Sequence, residues 1–172
     1  PELIDAGIDS FKIEGRMKTA LYVATVARTY RKAIDDYLEN PEKYKANMEW
    51  YKEEIGKCTY REFTTGFYFG KPGSDAQIYN SNTYVKNYTY LGTVEEADGK
   101  GRCRIEQKNK FSVGETIEIM KPDGRNLEVV VKSICDEDGN EQESAPHPKQ
   151  ILWVDLGADV DKYDILRKKE DN

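Results

Sequence analysis

From Ala20 onward the hydrophobic period of this chain changes near Lys57, and that change constrains the fold more than any single residue does. Ahead of it, apolar residues recur at spacings of three and four. Behind it, short alternating runs are separated by turn signals. The first pattern is that of helices and the second that of half-buried strands. From Ala20 the apolar positions are Val23, Val26, Ala27, Tyr30, Ala33, Ile34, Tyr37 and Leu38, which make one face of a long helix. Thr19 stands where an N-cap is needed. Asn40-Pro41 ends the helix, because proline disfavours helical backbone in the residue before it. A second helix is expected over Pro41 to Ile55, with Tyr44, Met48, Tyr51 and Ile55 as its stripe and Gly56 as its stop.

Beyond Lys57 the expected strands are Tyr88 to Glu96, Cys103 to Gln107, Thr116 to Met120, Leu127 to Ile134, Ile151 to Leu156 and Tyr163 to Arg167. Asp98-Gly99, Pro122-Asp123-Gly124 and Asp138-Gly139 are turns between them. Turns at this spacing indicate a closed antiparallel barrel or a sandwich. Phe67-Tyr68-Phe69 is a further β-type run, stopped by Gly70-Lys71-Pro72-Gly73. Asp136 to Lys149 is a polar, acidic excursion with two prolines, expected as an exposed loop.

At the other end, Ile8 to Glu14 alternates and is expected to be a short strand, broken at Gly15 and followed by an Arg16-Met17-Lys18 loop. A lone strand feeding a long helix is a piece of an α/β fold that needs other strands to pair with. The opening Pro-Glu-Leu-Ile, without methionine, fits the same expectation of a piece of a longer protein.

Charge and residue counts narrow the chemistry. The net charge of −6 disfavours a non-specific nucleic-acid binder. It is unevenly spread: Ser10 to Lys32 holds six Lys/Arg against one acid, and Ser133 to Asp164 nine acids against two lysines. The basic beginning leaves room for a local anion site. Cys58, Cys103 and Cys135 are far apart and lack CxxC spacing, so reduced, structural cysteines are expected rather than a disulfide framework or zinc site. His147, between two prolines, is the only histidine, which argues against a histidine-based triad. Neither HExxH nor a paired-aspartate motif occurs. No catalytic or metal-binding residue is therefore expected in this chain. No apolar run approaches the roughly 20 residues that span a bilayer, so no membrane association is expected.

The stretch Phe11-Lys12-Ile13-Glu14-Gly15-Arg16-Met17-Lys18, followed by Tyr22-Val23 and Tyr30-Arg31-Lys32-Ala33-Ile34-Asp35, resembles a segment of the U32 peptidase family. Thr65-Gly66-Phe67-Tyr68-Phe69-Gly70 is similar to the sequence that precedes that family's C-terminal domain, and Asn109 to Glu118 to a strand pair within it. The resemblance implies an α+β chain in three parts. Residues 1–57 would be a strand–helix remnant of an α/β barrel-like domain with a helical connector, 58–83 a linking segment, and 84–172 a small antiparallel β-barrel. It also implies cytoplasmic proteins labelled as peptidases or collagenases, several of which look like enzymes that hydroxylate transfer or ribosomal RNA, apparently with prephenate. An iron–sulfur cluster, where relatives carry one, belongs to cysteines upstream, and the three cysteines here do not match that pattern.

Glu14, Arg16 and Lys18, between a strand end and a helix start, are the candidate anion- or substrate-binding residues. Arg16 could grip a carboxylate or phosphate in bidentate fashion, Lys18 add a point charge and Glu14 orient Arg16. The alternative is that Glu14 and Arg16 pair with neighbouring strands to hold the barrel closed. Arg28, Arg31 and Lys32 read as a solvated helix face, or as a contact to an RNA backbone. The aromatic residues of Phe67-Tyr68-Phe69, Tyr84, Tyr88 and Tyr90 read as core and barrel-end packing, or as platforms for bases. Trp50 and Trp153 read as core. The function expected is an accessory substrate-binding part of an RNA-modifying enzyme, whose partners are the upstream domain and tRNA or rRNA. The alternatives are a structural or self-association module, and a docking domain of a genuine protease.

Overall fold

In the computed structural model, which describes residues 1–61, 63–74 and 84–170, the helices precede the strands, as the change of period implies. A single turn, α1 (Glu2–Asp5), is followed by α2 (Ala20–Glu39), α3 (Pro41–Ala46) and α4 (Met48–Ile55). Thr19 caps α2, its hydroxyl accepting from the Tyr22 amide at 3.2 Å. The helix expected over Pro41 to Ile55 is divided at Asn47. The Asn47 side chain donates to Asp36 at 2.9 Å, and the re-aimed α4 brings the Tyr51 hydroxyl to the same carboxylate at 2.6 Å.

The strand expected over Ile8 to Glu14 is not formed. These residues carry neither helix nor strand, and Ile8 and Ile13 are exposed. A strand is stabilised by its ladder, and no described segment pairs with this one. The Phe67-Tyr68-Phe69 run is likewise a turn, held by Tyr68 N–H to Thr65 C=O and Gly70 N–H to Phe67 C=O bonds of 3.2 Å. Its three rings are 75–81% exposed, so they are not core. The expected linking segment 58–83 lies partly outside the described residues.

The sheet contains β1 (Tyr88–Ala97), β2 (Arg102–Glu106), β3 (Thr116–Met120), β4 (Asn126–Val130), β5 (Ser133–Cys135), β6 (Glu141–Gln142), β7 (Ile151–Asp155) and β8 (Ile165–Lys169). Their order is β4-β3-β8-β1-β2-β7-β5-β6, and every pairing is antiparallel. Among the described residues β4 and β6 end the ladder, so the sheet is a curled half-barrel rather than a closed barrel. Two features produce the curl. The run Leu127 to Ile134 breaks into β4 and β5 because its halves pair with different neighbours, β3 and β7. β1 also carries irregularities at Tyr90/Gly92 and Val94/Glu96, passing from β8 to β2 across them. A Cβ at position 92 would lie 3.0 Å from the Glu106 carbonyl, so glycine permits the close approach there.

Alternation along the strands fills one core with Leu91, Val94, Ile105, Phe111, Ile117, Ile119, Ile134, Leu152, Val154 and Leu166. The acidic excursion is partly tied down: β6 pairs with β5, and Ala145, fully buried, donates its amide to the Phe111 carbonyl at 2.8 Å. A smaller apolar cluster, Leu21, Val26, Cys58, Met120 and Ile165, seats α2 on the sheet. The apolar face expected for α2 is split by this docking. Val26 is buried, whereas Val23, Tyr30 and Leu38 remain 44–64% exposed.

Candidate functional site

The loop before α2 turns on a Lys18 N–H to Gly15 C=O bond of 2.9 Å, and Glu14 accepts the Arg16 amide at 3.3 Å. Glu14, Gly15, Arg16, Met17 and Lys18 together line a shallow surface depression. Glu14 also lies 3.7 Å from the Lys12 ammonium. The expected junction between a strand end and a helix start is thus half present: the helix start is there, the strand is not. Among the described residues no carboxylate lies within 4.0 Å of the Arg16 guanidinium or the Lys18 ammonium.

Lys18 instead lies 4.9 Å from the centre of the Tyr84 ring and 5.2 Å from that of Tyr22. Arg61 stands over Tyr84 as well, at 4.7 Å. Tyr60 and Val85 bring these segments together by exchanging backbone hydrogen bonds of 3.1 and 2.8 Å. Of the tyrosines considered as base platforms, Tyr84 is exposed, while Tyr88 and Tyr90 pack into the seam between helices and sheet. Sequence reasoning missed Arg61. Its neighbour Tyr84 is distant in the chain, and no local pattern announces the bridge between them.

The seam holds a second cluster that sequence reasoning misread. Arg28 is not solvated but buried, donating to the Lys121 carbonyl at 2.7 Å and to Glu54. Glu54, on α4, accepts from Arg167 of β8 at 2.6 Å and from Asn126 of β4 at 2.8 Å. Arg167 also donates to Glu118 at 2.6 Å, and Lys57 lies 3.4 and 3.5 Å from Glu54 and Glu118. Burial raises the pKa of Glu54, but Arg167, Arg28 and Lys57 outweigh it and hold the carboxyl below its usual range. This network joins α2, α4, β3, β4 and β8. Arg31 and Lys32 stay nearer solvent and pair with Asp35 and Asp36 at i+4. Trp50 and Trp153 are half-buried, Trp50 under the Arg28 and Lys32 cations.

Nothing in the described residues assembles a metal site. Cys103 pairs with Val154 and Cys135 with Trp153, adjacent positions of β7, so their side chains leave opposite faces of the sheet. Cys58 lies in the α2 cluster. The three thiols do not converge, and they do not fit an iron–sulfur cluster. Burial pushes Cys58 up to about 11 and Cys103 up to about 12, the reverse of what a ligating thiolate needs. The aspartates at 159, 161 and 164 are already gathered around a cation, the buried Lys121 ammonium, at 3.5, 2.8 and 2.9 Å. Among the described residues no helix is long and apolar enough to cross a membrane.

Comparison with known proteins gives a consistent picture. The family profile of peptidase family U32 matches residues 1–78, and that of the peptidase family U32 C-terminal domain matches residues 86–167. The tRNA hydroxylation protein P1 of Bacillus subtilis is 38% identical over 98% of this chain, and the tRNA hydroxylation protein P of Escherichia coli 29% identical over 96%. A collagenase of Porphyromonas gingivalis is 37% identical over 60% of the chain. The chain spans 40%, 36% and 27% of the lengths of these three relatives. A crystal structure of the C-terminal domain of a Geobacillus thermoleovorans U32 peptidase, 32% identical, covers 48% of this chain and 92% of its own, with a TM-score of 0.44. By both its halves, the chain belongs to the peptidase U32 family.

Proposed function

We propose that this chain is an accessory, substrate-positioning part of an RNA-modifying, tRNA-hydroxylating U32 protein. The observation that carries the reading is the exposed Arg16–Lys18 loop. Its two cations have no carboxylate partner among the described residues, in a chain otherwise rich in ion pairs. Cations left open to solvent on a chain of net charge −6 suit a polyanion held at one place rather than over the whole surface. Similarity to two tRNA hydroxylation proteins over nearly the full chain favours tRNA as that polyanion. In this reading Arg16 grips a phosphate, or the carboxylate of a cosubstrate, Lys18 adds charge, and Glu14 orients the loop through the Arg16 amide. The chemistry itself, with any iron–sulfur cluster, lies in the upstream domain, and the protein works in the cytoplasm.

The test is tRNA binding and hydroxylation by the full-length protein with Arg16→Ala and Arg16→Lys. Loss of a charge-assisted bidentate contact costs about 1.5–3 kcal/mol, roughly ten- to over a hundredfold in affinity. The reading predicts that loss at unchanged melting temperature, and it fails if affinity and turnover stay at wild-type values. A second reading, a structural module that docks on the upstream domain, is favoured by the exposed Val23, Tyr30 and Leu38 stripe of α2. It predicts that charged substitutions on the stripe destabilise the full-length protein. Docking of a protein substrate, which the collagenase match favours, predicts instead that Arg16→Ala impairs gelatin cleavage by the full-length protein and leaves tRNA untouched.

A further inference from the structure

Three and six residues beyond Lys57, at Tyr60 and Phe63, the chain places aromatic rings where they bury little. Tyr60 and Phe63 stack face to face, their centres 4.5 Å apart and their planes 2° from parallel. Phe63 nevertheless remains 58% exposed, so Tyr60 covers only part of it. An aromatic pair in a core shows the opposite pattern, with both rings enclosed. Arg61, between them in sequence, crosses to the Tyr84 ring, and Lys18 reaches that same ring from the loop before α2. Tyr84 is 45% exposed. The Tyr60–Val85 backbone bridge therefore brings two cations and three aromatic rings from three separate segments near one another.

We propose that Tyr60, Phe63 and Tyr84, with Arg61 and Lys18, form a stacking platform for an unpaired stretch of RNA. The proposal rests on the RNA reading above and specifies what kind of RNA structure it engages. A parallel ring pair with one exposed member is the start of a stack that a base continues, and only an unpaired nucleotide offers a free base face. Arg61 and Lys18 supply the positive charge that tracks the connecting phosphates. A duplex buries its base faces and would meet only the two cations. The acidic 133–164 region contributes none of these side chains.

The test compares binding of an unpaired oligoribonucleotide and a duplex of the same length to the full-length protein, by fluorescence anisotropy across a salt series. Phe63→Ala is expected to weaken the unpaired oligonucleotide roughly five- to a hundredfold while leaving the duplex unchanged. Phe63→Trp keeps the platform and is expected to retain affinity, which separates stacking from any loss of fold. Arg61→Ala is expected to lower the salt slope by about 0.7. The proposal is overturned if Phe63→Ala binds the unpaired oligonucleotide as wild type does, or loses both probes equally. It is also overturned if a gelatin peptide, rather than RNA, is what that variant loses. Wild-type protein that binds tRNA through Arg16 but is indifferent to Phe63 defeats the platform alone. Wild-type protein that binds no RNA defeats the broader reading with it.

Discussion

Inside the sheet, Leu91, Ile105, Phe111, Leu152 and Leu166 are fully buried against one another, whereas the seam between helices and sheet is closed by Arg28, Glu54 and Arg167. Both regions are buried, and they are chemically opposite. Each fully buried aliphatic or aromatic side chain of the sheet contributes about 1.5–3 kcal/mol. The charges of the seam are desolvated at a cost that their mutual attraction only offsets, so their net contribution is small. The difference separates stability from placement. The sheet core supplies the free energy of folding, and the seam fixes how α2 and α4 sit on the sheet. Through α2 it also fixes where the Arg16–Lys18 loop is presented.

The largest expected effect breaks the seam at one partner. Glu54→Ala leaves Arg28 and Arg167 buried without their shared carboxylate and is expected to cost about 3–5 kcal/mol, measured by urea unfolding. Replacing all three residues by methionine leaves Lys57 and Glu118, which face each other at 3.5 Å. That triple variant is expected to be more stable than Glu54→Ala alone. A triple variant that falls below it would show the ions to be net stabilisers, and the contrast with the sheet would fail.

A smaller effect is read by acid. Burial raises the carboxyl of Asp36, yet hydrogen bonds from Lys32, Tyr51, Lys43 and Asn47 hold it well below its usual range. Near pH 4 the folded chain therefore binds fewer protons at Asp36 than the unfolded chain, whose aspartate titrates at about 3.9. The stability this supplies is complete above that value and is lost as pH falls through the folded one. Asp36→Asn is expected to be destabilised at neutral pH, with the gap to wild type narrowing below about pH 4. An equal gap at acid and neutral pH would assign the effect to packing instead.

The smallest effect is a difference in opening between the regions. Cys58 lies at the seam and Cys103 in the sheet core, and both are fully buried. Under native conditions alkylation is expected to reach the half-buried Cys135 first, Cys58 next and Cys103 only with global unfolding. Glu54→Ala is expected to speed Cys58 labelling selectively. Equal acceleration at Cys103 would mean that the seam and the sheet open together.

The same contrast explains what the sequence could reveal. The strands were legible because alternation such as Thr116 to Met120 is a local signal, and turns such as Asp98-Gly99 bound it. The seam was not, because an arginine on a helix reads as solvated and its partners are remote. Arg28 meets a residue 26 positions away, and Glu54 one 113 positions away. Periodicity disclosed an apolar face on α2 but not what would cover it. The residues α2 buries are Leu21, Thr25, Val26, Arg28, Thr29 and Asp36, most of them polar. Closure of the sheet was over-read, since turn spacing counts strands without saying which strands end the ladder. At the candidate site, the loop residues 14, 16 and 18 were legible from charge and position. Tyr84 beside Lys18, and Arg61 beside both, depend on a bridge between Tyr60 and Val85 that no local pattern encodes.

The function proposed above requires RNA to meet the surface around Lys18, Arg61 and Tyr84 rather than the chain as a whole. Ultraviolet cross-linking of tRNA to the full-length protein, followed by peptide mapping, tests it most directly. The account predicts cross-links within residues 11–22, 60–63 and 84–88 and none within the acidic stretch 133–164. Cross-links confined to the acidic stretch, or to peptides outside this chain altogether, would contradict it.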